Sequence, residues 1–224
     1  MSAAPIVRLV GVSKSYRSST EPTLVLSDVN LTIERGQKTS LIGPSGSGKS
    51  TLMSLIAGLR RPTHGTVEID GIAVSDLDDG ARARVRASRI GIALQSDNLI
   101  PFLTATENIE LAMAFVPGVS RRSARARAQE LLDRFGVGDR AQHRPRQLSG
   151  GEAQRVALAV AMANEPALLL ADEVVGQLDR ETAGRVVDEV LAAEFAVMFV
   201  THDMTLADLA EHRYAIHNGA VCSR

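Results

Sequence analysis

Apolar and polar residues alternate with period two over residues 6–16 and again over 25–34, with a Ser/Thr/Glu/Pro-rich connection at 18–23 between them. That pattern predicts antiparallel strands joined by an exposed loop. Residues 65–74 alternate in the same way around Asp70-Gly71, the dipeptide of a tight hairpin turn. Elsewhere the pattern changes. Residues 90–94, 167–171 and 196–200 are unbroken apolar runs, and strands of that kind belong to parallel sheets covered on both faces. Between them the spacing predicts helices over 76–88, from the capping box Thr104-Ala105-Thr106-Glu107 toward Val116, from Ser120 to Phe135 with Gly136 as the stop, from Leu148 through Ala163, and over 180–194. Residues 214–221, turning at Asn218-Gly219, read as a closing hairpin. The order of elements is that of an α/β protein with a mainly parallel sheet and an added antiparallel part.

Charge changes this picture little. The chain has 25 basic and 26 acidic residues, a balance that argues against nucleic acid as the main partner. The arginine runs around Arg82, Arg84, Arg86 and Arg89 and around Arg121, Arg122, Arg125 and Arg127 read as solvated helix faces with acidic neighbours. Cys222 is the only cysteine and the five histidines lack metal-ligand spacing, so neither a disulfide framework nor a Cys/His metal cluster is expected. No apolar core of a secretory signal stands at the N-terminus, and the longest apolar run, 156–163, is far short of the roughly 20 residues that span a bilayer. The expectation is a soluble protein in the reducing cytoplasm, reaching any membrane by docking.

The chemistry concentrates after residues 40–42. Gly43-Pro44-Ser45-Gly46-Ser47-Gly48-Lys49-Ser50-Thr51 lies between an apolar strand and the helical run that starts with Leu52. Glycines at 43, 46 and 48 permit backbone angles that turn several N–H groups into one concavity, and the helix adds its positive end. In such a P-loop Lys49 reaches the β- and γ-phosphates of a nucleotide and the Ser50 hydroxyl ligates Mg²⁺. With only three lysines in the chain, the one at 49 is telling.

Other polar residues recur at the carboxyl ends of the buried runs: Gln95, the pair Asp172-Glu173, and His202. In an open parallel sheet those ends share the edge where ligands bind. Asp172 suits a Walker B carboxylate that holds Mg²⁺, and Glu173 a general base acting on water. His202 could hold the water and the γ-phosphate. Singly each has a structural alternative, a helix cap for Asp-Glu and a packing role for the histidine. Tyr16 is either a packing residue at a strand end or a platform for a base.

Taken in order, Tyr16, GPSGSGKST at 43–51, Gln95, LSGGE at 148–152, LLLADE at 168–173, Asp179 and His202 resemble the ATP-binding subunit of an ABC transporter over nearly the whole chain. The resemblance implies one ATP-binding domain over 1–224, with a nucleotide-binding core of 1–95 and 164–224 interrupted by a helical subdomain at 96–163. It also implies ATP and Mg²⁺ as cofactors, base stacking on Tyr16, a Q-loop at Gln95 among the Mg²⁺ ligands, a D-loop at Asp179 and a switch histidine at His202. Ser149, Gly150, Gly151 and Glu152 would face ATP held by a second copy of the chain, making a head-to-tail dimer with ATP between the copies. A membrane-spanning permease on a separate chain is the implied partner, with residues 99–103 either docking to it or packing in the core.

Residues 99–111 and the ADE motif are most similar to the branch of macrolide exporters, lipoprotein-release ATPases and the cell-division ATPase. Val174-Val175 stands where that branch usually has Pro-Thr, Gln177 replaces a smaller residue, and Val160 occupies a place that is usually arginine. The implied function is an ATPase that drives export or extraction of a lipid, lipoprotein, peptide or drug. An ATP-dependent signalling module that moves no cargo is the alternative.

Overall fold

The computed structural model describes residues 4–16, 22–94, 98–174 and 178–223, with the backbone alone at Arg180. The chain divides into two compact units, Met1–Arg86 with Phe195–Arg224, and Ala87–Glu194. These limits lie outside the 96–163 segment because β6 (Ile90–Ala93) and β7 (Leu168–Asp172) pair with each other and belong to the second unit.

The first unit holds an antiparallel sheet in the order β2-β1-β4-β5, built from β1 (Val7–Tyr16), β2 (Thr23–Ile33), β4 (His64–Ile69) and β5 (Ile72–Ala73). Val7 pairs with Ile33 on one side and Ile69 on the other, and all three side chains are fully buried. That is the consequence of the period-two pattern, which sends one face of each strand inward. Asp70 and Gly71 both take positive φ at the hairpin turn, and Asn218 with Gly219 does the same between β9 (His212–His217) and β10 (Ala220–Ser223).

The same unit holds the parallel strands β3 (Lys38–Ile42) and β8 (Ala196–Val200), with β9 on the other side of β3. Every residue of β3 and β8 is buried, as expected of strands covered on both faces. β3 starts two residues before its apolar run because Lys38 and Thr39 are buried too. The Lys38 ammonium donates to the Phe195 carbonyl at 2.6 Å, and burial lowers its pKa against the opposing pull of Glu211.

The second unit carries β6 and β7 in parallel register, Ala93 opposite Ala171. Its helices are α3 (Ala105–Ala114), α4 (Arg121–Arg134), α5 (Gly150–Ala161) and α6 (Arg180–Leu191), in addition to α1 (Lys49–Ile56) and α2 (Asp79–Arg89) mainly of the first unit. The predicted capping box at Thr104 and Glu107 is formed on both sides. Residues 136–147, polar and turn-like in the sequence, contain two 3-10 turns, Gly138–Arg140 and Pro145–Gln147. α7 (Met204–Asp208) is an element that periodicity did not reveal, being too short to show a helical repeat.

Candidate nucleotide site

The glycine-rich loop follows β3 directly and ends in α1. A Cβ at Gly43 would lie 2.5 Å from the Ile216 carbonyl oxygen and 2.9 Å from Ser47 Oγ, so no other residue fits there without moving the hairpin. Gly48 caps α1 at φ 108, a left-handed conformation, and supplies no side-chain cap bond. The first turn of α1 carries no acidic residue, so its dipole keeps a positive end directed at the loop. Lys49 Nζ donates to the carbonyls of Gly43 at 2.7 Å and Pro44 at 2.9 Å, lying across the loop's opening. Pro44, Ser45, Gly46 and Ser50 are exposed, whereas Ser47 Oγ is buried without a hydrogen-bond partner among the described residues. Thr51 Oγ1 is 3.5 Å from the Tyr16 hydroxyl, which ties the strand-end tyrosine to the first turn of α1.

β3 and β8 run parallel with Leu41 opposite Val200, and Thr201 N–H donates to Leu41 O at 3.3 Å. This register sets Ile42-Gly43 and Thr201-His202 at one sheet edge, as the strand-end argument predicts. Asp203 anchors the backbone beyond the histidine: its N–H bonds Thr201 Oγ1 at 3.0 Å, and its carboxylate accepts Thr205 N–H at 2.8 Å. His202 itself is exposed.

In the second unit the ends of β6 and β7 are likewise neighbours, which places Leu94 beside Asp172. Gln95, Val175 and Gln177 lie outside the described residues. Glu173 adopts φ 51, the left-handed region that non-glycine residues rarely enter. Strain of this kind, of order 1–3 kcal/mol, is typical of sites where a side chain must point in one direction. Val174 beside it is buried, consistent with an apolar anchor for the turn. No three described His, Cys, Asp or Glu side chains converge as a metal site. The Ser50 hydroxyl and the Asp172 carboxylate are hard oxygen donors, the type that suits Mg²⁺, an ion that takes its remaining ligands from water and phosphate.

The second glycine-led helix start is α5. Ser149 is its N-cap, accepting Glu152 N–H at 3.2 Å, while the Glu152 carboxylate accepts Ser149 N–H at 2.8 Å. Arg140 Nε donates to the same carboxylate at 2.8 Å. The Ser149 N–H and the Arg140 guanidinium hold the Glu152 carboxyl down at about pKa 2. Glu152 therefore braces the first turn of α5 with its carboxylate. The Ser149 hydroxyl accepts one bond there and keeps its proton to donate. Asp179 caps α6 by accepting Thr182 N–H at 3.0 Å, the bond that lowers its pKa. Arg140 belongs to none of the sequence motifs. The only signal for it was a basic residue before a capping box.

A buried parallel strand, a glycine-rich loop with an inward-bonded lysine, and a helix with an uncompensated positive end define a P-loop nucleotide-binding protein. The family model for ABC transporters matches residues 26–176. An uncharacterised ABC transporter ATP-binding protein of Methanocaldococcus jannaschii, MJ0796, is 42% identical over 223 residues, covering 96% of this chain and 95% of that one. LolD, the ATP-binding protein of the lipoprotein-releasing system of Nitrobacter hamburgensis, is 41% identical over 221 residues, covering 97% of this chain and 95% of the relative. A solved structure of MJ0796, a dimer in a post-hydrolysis state bound to ADP and Pi, matches with a TM-score of 0.93 at 40% identity and 97% of each chain. The chain belongs to the ABC transporter family and is an ATP-binding subunit with an ATPase cassette.

Proposed function

We propose that this chain is the ATP-hydrolysing subunit that drives a separate membrane-spanning permease in the export or extraction of a lipid, lipoprotein, peptide or drug. The observation that carries the reading is that one chain holds two distinct anion-type helix starts, Gly48-Lys49-Ser50 of α1 and Ser149-Gly150-Gly151 of α5. Two such sites in one chain suit a head-to-tail dimer, in which the P-loop of one copy and the α5 start of the other hold the same triphosphate. The dimeric MJ0796 cassette supports this by likeness.

The roles follow from chemistry. Tyr16 stacks on the base. The amides from Gly43 through Thr51 and the Lys49 ammonium hold the phosphates. Ser50, Asp172 and Gln95 would hold Mg²⁺, which would supply positive charge to offset that of the phosphates. Glu173 takes a proton from water as its oxygen attacks the γ-phosphorus and the bond to ADP breaks, and His202 orients that water. Glu173 then gives that proton to the released phosphate, which leaves ADP, phosphate and an ionised Glu173. Asp179 and Glu152 are supports, each holding the first turn of a helix that faces the partner copy.

No helix of the described residues is long and apolar enough to cross a membrane. The proposed place of action is the cytoplasmic face of the membrane, reached through the permease that this reading assigns as partner. A groove of about 740 Å³ between Pro101-Phe102 and the 142–147 segment fits the docking role, with Phe102 70% exposed at its rim. Tagged Glu173→Gln protein, recovered from detergent-solubilised membranes with ATP present, should bring a permease with it. Reconstituting the two in vesicles tests the activity: ATP turnover with cargo flux supports transport, and turnover without flux assigns a signalling role instead.

A further inference from the structure

We infer that Arg60, with Lys14, positions the Tyr16 ring so that it is held ready to stack on the base of the nucleotide. This rests on the proposed role of Tyr16 as the base platform. Arg60 Cζ and Lys14 Nζ each lie 5.4 Å from the centroid of the Tyr16 ring. Backbone carbonyls hold the Lys14 ammonium and the main chain that carries Arg60. Lys14 Nζ donates to the Arg61 carbonyl at 2.7 Å, and Arg61 Nη2 donates to the Leu77 carbonyl at 2.6 Å. The Leu59 and Arg60 N–H groups both donate to Ser54 O, at 2.9 and 3.2 Å.

Gly58, at φ +64, turns the chain just before this point. Its carbonyl accepts Arg82 Nε at 2.8 Å and Arg86 Nη1 at 3.2 Å. Arg82 and Arg86 thus fasten the turn that presents Arg60, and Arg82 is buried, which corrects the reading of this run as a solvated helix face at that position. With the Thr51 contact at 3.5 Å, the ring is met by three groups from two segments.

A side chain already held in its bound orientation loses less rotamer freedom when a ligand arrives. A guanidinium over an aromatic face at an exposed site contributes enough to change affinity by about two- to fivefold. Arg60 is exposed, so its replacement leaves the core untouched. It acts through Tyr16 and is a positioning residue.

The chain has no tryptophan and two tyrosines, so Tyr214→Phe leaves Tyr16 as the sole source of tyrosine fluorescence. In that background, ATP affinity is read from fluorescence quenching for Arg60→Ala and Arg60→Lys and from calorimetry for Tyr16→Ala with and without Arg60→Ala, and inorganic tripolyphosphate affinity from calorimetry for every variant. The expected result is a two- to fivefold loss of ATP affinity in Arg60→Ala, a smaller loss in Arg60→Lys, and unchanged tripolyphosphate binding. Adding Arg60→Ala to Tyr16→Ala should then cost nothing more by calorimetry with ATP. Equal losses for ATP and tripolyphosphate, no loss at all, or the same loss without Tyr16 would overturn the inference. If Tyr16→Ala binds ATP as tightly as its parent, the platform reading fails instead and takes this inference with it.

Discussion

Ser149 and Glu152 hold each other at the start of α5, the serine hydroxyl accepting the glutamate N–H at 3.2 Å and the glutamate carboxylate accepting the serine N–H at 2.8 Å. The Arg140 guanidinium adds a charged bond to that carboxylate, whose pKa falls from an ordinary 4.5 to about 2. A carboxyl whose folded pKa is depressed stabilises the fold fully above its unfolded value. That contribution declines as pH falls from about 4.5 toward 2 and is gone below the lower value. Denaturant titrations across this window should show a shallower acid limb for Glu152→Gln, which keeps the cap bond but cannot titrate. Ser149→Ala should cost about 1 kcal/mol at neutral pH, the usual worth of a lost N-cap.

Lys49 offers a second test. Its ammonium bonds the Gly43 and Pro44 carbonyls at 2.7 and 2.9 Å, so it sits where an anion entering the loop would meet it. Lys49→Ala should lower ATP affinity at least tenfold, from the removal of a charge-assisted contact. Calorimetry with ATP checks this, and unchanged affinity would remove Lys49 from the phosphate site.

The P-loop was legible because each of its constraints has a residue that announces it: glycine at Gly43 and Gly48, where the backbone admits nothing else, and lysine where charge is needed. The buried strands were legible from their unbroken apolar runs, except where a buried lysine hid the start of β3. The strain at Glu173 was not, since a glutamate gives no hint of a positive φ. Arg140 bonding Glu152 and Arg60 over Tyr16 were hidden for another reason. Both pairings are made by chain folding, and neither lies at a helical or strand spacing that periodicity could detect.

Gly43 tests how tightly the loop is built. A methyl group there would press on the Ile216 carbonyl of β9 at 2.5 Å, and backbone cannot give way as a flexible side chain does. Gly43→Ala should therefore destabilise the chain by about 1–3 kcal/mol and weaken ATP binding together. Gly46 has open space around its Cβ position, but φ +75 makes Gly46→Ala strained. It should cost about 1 kcal/mol from backbone conformation alone. Thermal melts of both variants separate the steric cost from the conformational one.

Glu173 is the residue on which the proposed chemistry turns. Gln has the same shape and can hold the same φ 51 conformation at similar cost, but it cannot take a proton from water. Glu173→Gln should keep ATP affinity within a few-fold while turnover falls by about 10²–10⁴, the usual worth of a general base. Since opening of the dimer would then wait on a reaction that no longer occurs, light scattering with ATP should find the variant as a dimer and with ADP as a monomer. Turnover close to that of the unaltered chain would assign the base to another residue. A monomer with ATP bound would argue instead that the two helix starts do not share one nucleotide.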